Sequence, residues 1–250
     1  MRIITLLISI LSTISAAQAA KDVPMSAKKA LIVVTSHSEK GSTGEKTGWY
    51  LSEVSHVYFP LVAAGFTVDF ASPNGGAAPL DESSRDLKDA ENKRFVEDPH
   101  LMARMRETAR VADVDPRTYK VVHFAGGHGT MWDFAQTPAV GALAAGVYDN
   151  GGVVSAVCHG PAALVNARLA NGKYLVEGKD LTVFSDAEEA AVGLTKVVPF
   201  LLESTLRDRG ARTHAAGLWQ EKVSVSERLV TGQNPASARL VGKRLVELAK

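Results

Sequence analysis

Val153-Val154-Ser155-Ala156-Val157-Cys158-His159-Gly160-Pro161 is the stretch on which the reading of this chain turns. A short, largely apolar run leads straight into the sole cysteine of 250 residues, and a histidine, a glycine and a proline follow it. Such a run suits a parallel strand buried on both faces. Proline is well placed in the first turn of a helix. The order is strand, sharp turn, helix, with the thiol on the turn.

The same alternation extends outward on both sides. Towards the N-terminus, Ala30 to Val34 is a buried strand, and the polar residues 35–47 form a loop at its carboxyl end. Trp49 to Ala64 carries Leu51, Val54, Tyr58, Leu61 and Val62 near helical spacing, with Gly65 as its stop. Thr67 to Ser72 is a second strand, closed by Pro73-Asn74-Gly75-Gly76. Residues 79–115 read as a charged, amphipathic helical insertion packed over one edge of the site. Tyr119 to Phe124 is a third strand, ending in Ala125-Gly126-Gly127-His128-Gly129, and Pro138 to Tyr148 is the next helix.

Beyond Cys158, the pattern predicts a helix from Pro161 to Leu169, a strand from Leu181 to Phe184 and a helix from Pro199 to Arg209. Val223 to Val225 and Leu229 to Thr231 form a strand pair, and Ala236 to Leu248 is the closing helix. Strands alternating with helices make one doubly wound α/β domain with a mostly parallel sheet.

Residues 1–19 stand apart. Arg2, an apolar run from Ile3 to Ile10 and Ala17-Gln18-Ala19 have the form of a secretory signal peptide, which implies an exported protein, periplasmic or secreted. Residues 20–28 read as a flexible lead-in and residues 29–250 as the domain. The apolar run is shorter than the roughly 20 residues a membrane-spanning helix needs. Removing residues 1–19 takes away Arg2 and no acid, so the formal charge goes from +1 to 0. That balance offers no footprint for nucleic acid or an anionic membrane surface. A lone cysteine excludes an intrachain disulfide.

Ligands of open α/β sheets gather at the carboxyl ends of the strands. Gly126-Gly127-His128-Gly129, Cys158-His159 and the acids Asp186, Glu188 and Glu189 fall on such ends, and Glu53 lies one turn into the helix after the first strand. A thiol at a strand-to-helix turn meets unpaired backbone N–H groups that favour its thiolate. His159 is the candidate base, with a carboxylate to hold its ring. Glu189 is the first choice for that acid and Glu188 the alternative. The N–H groups of Gly127 and His159 are candidate oxyanion donors, Gly126 and His128 belong to the same loop, and Glu53 is placed to share a proton with the thiol. The histidines lack metal-ligand spacing and the glycines lack a nucleotide-binding pattern, so neither metal nor cofactor is expected.

Ala156-Val157-Cys158-His159-Gly160-Pro161, together with Ala125-Gly126-Gly127-His128-Gly129, resembles the ThiJ/PfpI superfamily. Three further stretches point to its glyoxalase III and heat-shock-chaperone branch: Thr47-Gly48-Trp49-Tyr50-Leu51-Ser52-Glu53, Phe184-Ser185-Asp186-Ala187-Glu188-Glu189, and Val230-Thr231-Gly232-Gln233-Asn234-Pro235. The resemblance implies a flavodoxin-like fold, a homodimer as is frequent in that family, and cofactor-free conversion of methylglyoxal, a small 2-oxoaldehyde, to lactate. It further implies Cys158 as nucleophile, His159 as its acid/base partner, Glu53 as the acid beside the thiol and Glu189 or Glu188 as third triad member. Alternative functions in the same superfamily are a stress-related holding chaperone or deglycase acting on unfolded or glycated proteins, and a cysteine-dependent peptidase or amidase. The related amidotransferases use a His-x-Glu pair after the cysteine, and here His214 is followed by Ala215-Ala216.

Overall fold

Alternation along the inner strands sends successive side chains to opposite faces of a sheet and so creates two cores. Leu31, Val33, Val122, Phe124, Val154 and Ala156 pack on one side. Ala30, Ile32, Val121, Val153 and Val230 pack on the other. The computed structural model describes residues 28–250. The signal peptide assigned to residues 1–19, and the lead-in up to residue 27, lie outside the described residues. Lys28, the last lead-in residue, is tied down: its carbonyl accepts the Thr67 N–H and its Nζ donates to Ala64 O.

The strands are β1 (Lys29–Val33), β2 (Thr67–Ser72), β3 (Ala109–Arg110), β4 (Val121–Phe124), β5 (Val153–Val157), β6 (Asp180–Leu181), β7 (Arg212–Thr213), β8 (Val223–Ser226) and β9 (Leu229–Gly232). The helices are α1 (Leu51–Ala63), α2 (Ala90–Glu97), α3 (Pro99–Arg106), α4 (Thr130–Asp133), α5 (Pro138–Asp149), α6 (Asp186–Ala191), α7 (Leu202–Asp208) and α8 (Ala238–Leu248). The central sheet has the order β3-β2-β1-β4-β5-β9-β8. Every pairing in it is parallel except β8 with β9. The inner order β2-β1-β4-β5-β9 is the flavodoxin-like doubly wound topology. Residues of α1, α2, α3 and α8 fill one core, and residues of α5 and α7 fill the other.

Two expectations are corrected. The helix expected from Pro161 to Leu169 is a single 3-10 turn, Gly160–Leu164. All five of its residues are buried, so it has no polar face to carry it further along a surface, and the chain folds back to pair Leu175 N–H with Ala167 O. The strand expected from Leu181 to Phe184 does not enter the central sheet. The place beside β5 is taken by β9, in the register Val154↔Leu229 to Val157↔Gly232. Residues 180–181 instead pair with β7, Thr182 N–H bonds the Thr231 hydroxyl, and Phe184 N–H reaches Cys158 O.

The insertion at residues 79–115 forms short helices and also supplies edge strand β3. It is anchored by Phe95, which is fully buried and packs edge-on against Trp49, Tyr58, Phe59 and Phe70 at ring separations of 6.0, 5.6, 6.4 and 6.1 Å. Phe95→Ala is expected to cost about 3–5 kcal/mol, read as a lower urea midpoint with an unchanged slope. A loss under about 1 kcal/mol would show that the insertion rests on the core without belonging to it.

Candidate active site

Cys158 begins where β5 ends, and its backbone is left-handed, with φ of 58°. For a residue with a side chain that conformation costs of order 1–3 kcal/mol and persists only where neighbours enforce it. Here two backbone hydrogen bonds do so: Cys158 N–H donates to Gly232 O and Cys158 O accepts from Phe184 N–H, both at 2.9 Å. The turn is thus clamped between the end of β9 and the segment before α6. It aims Sγ into a cavity of about 400 Å³ while the residue stays 3% exposed.

One side of the thiol is an acid. Glu53 lies in the first turn of α1, fully buried, and its Oε2 accepts the Gly126 N–H at 2.6 Å. Gly126 leaves room for that carboxyl: a Cβ there would sit 2.7 Å from Glu53 Oε2 and 2.7 Å from Val157 O. The next residue, Gly127, has φ of 100°, and a Cβ on it would come 2.1 Å from Gly48 O, so the two loops lie back to back. The N–H of Gly126 is committed to Glu53. Gly127 and His128 do line the cavity.

Burial raises the Glu53 pKa to about 8, outweighing the lowering by the Gly126 N–H and the Cys158 thiol. Burial likewise pushes the Cys158 thiol well up, with the charge and hydrogen bond of Glu53 adding to it and the His159 N–H opposing it. The Glu53 contribution holds only while Glu53 is ionised. Protonation of Glu53 removes that charge and eases formation of the thiolate, so the two groups titrate as one coupled pair.

The other side of the thiol is a relay. Cys158 Sγ lies 3.2 Å from His159 Nδ1, and His159 Nε2 lies 2.8 Å from Glu189 Oε2. Burial and the neighbouring His128 hold the His159 pKa down at about 4, so the ring is neutral at pH 7. A neutral ring beside a carboxylate carries its proton on Nε2, which leaves the Nδ1 lone pair facing sulfur. Burial alone would raise Glu189, but hydrogen bonds from His128 and His159 win and bring it down to about 2. His128 Nε2 meets the second oxygen, Oε1, at 3.0 Å. One carboxylate therefore orients two imidazoles.

Glu188, the alternative third acid, makes no hydrogen bond to His159. Its Oε2 closes a capping box with Ser185 at the start of α6, and its Oε1 accepts from Trp219 N–H at 3.0 Å and Asn234 Nδ2 at 2.8 Å. Adjacent helical positions point about 100° apart, so one acid faces the two imidazoles and the other faces the scaffold.

Two contributors escaped the sequence reading. His123 sits in β4 with Nε2 3.1 Å from Glu53 O and Nδ1 3.0 Å from Ser155 Oγ. Burial lowers its pKa to about 4, so it is a neutral strut under Glu53. A histidine inside an otherwise apolar strand was the available signal, since a buried ring needs partners on both nitrogens. Trp219 lines the cavity beside Phe184. Its stretch, between Gly217 and Gln220, carries no motif. Among the described residues, His128, His159 and Glu189 form one group whose ligand atoms lie within 4.8 Å of one another, and His56, Asp89 and Glu91 form a second. A cation at the first would displace the bonds that orient His159. The second already holds a cation in the Arg239 guanidinium.

A seven-stranded doubly wound sheet with a strained cysteine turn, an acid on one side and a histidine–carboxylate pair on the other defines a class, and the sequence comparison agrees with it. Residues 47–248 match the DJ-1/PfpI family, and the chain belongs to that family. Within it, the chain is 32% identical over 243 residues to the glutathione-independent glyoxalase HSP31 of Saccharomyces cerevisiae, covering 90% of this chain and all of that one. It is 31% identical to glyoxalase 3 of Candida albicans, covering 84% and 93% of the two chains. The crystal structure of glyoxalase III from Candida albicans superposes with a TM-score of 0.82 at 30% identity, over 89% and 97% of the chains. Rapid Encystment Protein 24 KDa of Francisella tularensis superposes with a TM-score of 0.86 at 38% identity, over 89% and 99%.

Proposed function

We propose that this protein converts methylglyoxal to lactate without glutathione or a cofactor, through a Cys158 thiolate. The observation that carries the reading is the position of Sγ, with His159 Nδ1 at 3.2 Å on one side and the buried Glu53 carboxyl on the other. The Saccharomyces and Candida relatives, both glyoxalases, support it.

The steps follow from the two proton sites. The thiolate adds to the aldehyde carbon, and the Glu53 proton passes to the developing alkoxide, giving a hemithioacetal. His159 Nδ1 then takes the proton from that same carbon while the electron pair moves onto the neighbouring ketone, and the imidazolium gives that proton to the ketone oxygen, forming an enediol. Return of a proton to the former ketone carbon and loss of the hydroxyl proton leave a thioester of lactate. Water attacks the thioester carbon, lactate departs, and the thiolate and protonated Glu53 are restored. Glu189 holds the His159 ring in the required tautomer throughout.

The exported location belongs to the same proposal, supported by the leader pattern ending at Ala17-Gln18-Ala19. Purified protein is expected to form lactate from methylglyoxal with no thiol cofactor added. The kcat/KM profile is expected to be bell-shaped. It rises with pH through about 4, as His159 loses its proton and becomes a base, and falls through about 8, as Glu53 loses the proton it must donate. Absence of lactate across that window would overturn the reading.

A further inference from the structure

Methylglyoxal is a three-carbon molecule, yet the cavity over Cys158 measures about 400 Å³, within the range of roughly 300–1,000 Å³ that holds drug-sized ligands. The surplus space has a definite character. Lys40 and Glu45, on the polar part of its lining, neutralise each other through a 2.8 Å ion pair. The apolar part is formed by Phe184, Val192, Leu194 and Trp219. Rings follow one another outward from the reacting atoms: His159 and Phe184 have centroids 4.2 Å apart, and Phe184 and Trp219 are 5.8 Å apart.

Trp219 is held in this place against its own preference. Its φ of 62° is left-handed, an outlying conformation for a bulky residue. The buried carboxylate of Glu188 maintains it by accepting the Trp219 N–H, and that carboxylate is itself fixed by Asn234 and the Ser185 capping box. Even so, the indole is 48% exposed, and Val192 on the same cavity is 41% exposed. Two large apolar side chains stay uncovered on a cavity that leads directly to the nucleophile. The part of a substrate that lies beyond its reacting carbonyls is what reaches them.

We infer that the site is shaped for 2-oxoaldehydes whose ketone carbon bears a bulky apolar group, aryl or branched alkyl, and that Trp219 with Phe184 holds that group. The inference rests on the glyoxalase reading and names the substrate class within it. An aryl glyoxal undergoes the same isomerisation and hydrolysis and needs no further reactant: phenylglyoxal and water give mandelate.

The test compares kcat/KM for phenylglyoxal, followed as mandelate, with that for methylglyoxal, followed as lactate. Wild-type protein is expected to favour phenylglyoxal by about tenfold or more, the discrimination that burial of a ring in an apolar pocket supplies. Trp219→Ala is expected to lower the ratio about tenfold, and Trp219→Phe to keep most of it. The ratio is insensitive to the fraction of protein that folds. A wild-type ratio at or below one, or a ratio unchanged in Trp219→Ala, overturns the inference while leaving the glyoxalase reading in place. No product from either aldehyde overturns both. If Trp219→Ala does not fold, wild-type protein supplies a second measurement. Mandelate is expected to inhibit methylglyoxal turnover at about a tenth of the lactate concentration needed, and equal inhibition by the two acids overturns the inference.

Discussion

Cys158→Ser is expected to lose lactate formation by about 10⁴-fold or more, the scale reached when a nucleophile is taken from a catalytic triad. Oxygen in place of sulfur preserves the size of the side chain and the two backbone bonds that clamp the turn, so the melting temperature should hardly move. What changes is acidity. A serine hydroxyl is far harder to ionise than a thiol, so the pair it makes with Glu53 holds no alkoxide ready to attack. Neither partner of the thiolate can compensate. Lactate assays on wild type and Cys158→Ser side by side, with reductant present, decide the matter. A serine variant with full activity would remove Cys158 from the mechanism.

Glu53→Gln carries the second large effect, a fall in kcat of about 10²–10⁴-fold, the range for loss of a positioned proton donor. Glutamine can still accept the Gly126 N–H and fill the same volume, so the loop around Gly126 and Gly127 keeps its place. It cannot give up a proton. The diagnostic is the pH profile: the alkaline limb near pH 8 belongs to Glu53 and should vanish in the variant, leaving residual activity flat above neutrality. An alkaline limb that survives would assign it to another group, and Glu53 would then be a structural acid.

The cysteine turn and the meeting of Glu53, Gly127, Cys158 and residues 188–189 were legible because each lies beyond the carboxyl end of an apolar run. Strand ends in a parallel sheet share one edge, so nearness in space follows from topology. The choice between Glu188 and Glu189 was not legible. Both acids begin the same helix, and only the capping box with Ser185 sends Glu188 away from His159. Leu181 to Phe184 misled because an apolar run does not specify its partner, and Leu229–Gly232 competed successfully for the place beside β5. The two-residue strands β3 and β7 are too short to show a period at all. Trp219 stayed hidden because its importance comes from a backbone conformation and a distant carboxylate.

The first turn of α6 is, mechanically, a common mount. Glu189 on it steers the two imidazoles, and Glu188 beside it anchors the Trp219 backbone and the Asn234 side chain. Any displacement of that turn moves the proton relay and the aromatic wall together, as parts bolted to one bracket. Substrate choice and chemical rate are coupled by construction. A relative that shifts residues 185–189 by even one position would have to rebuild both at once, whereas the wall can be recut at the side chains of Val192 or Leu194, whose ties to the mount are backbone hydrogen bonds to Glu188 O and Glu189 O.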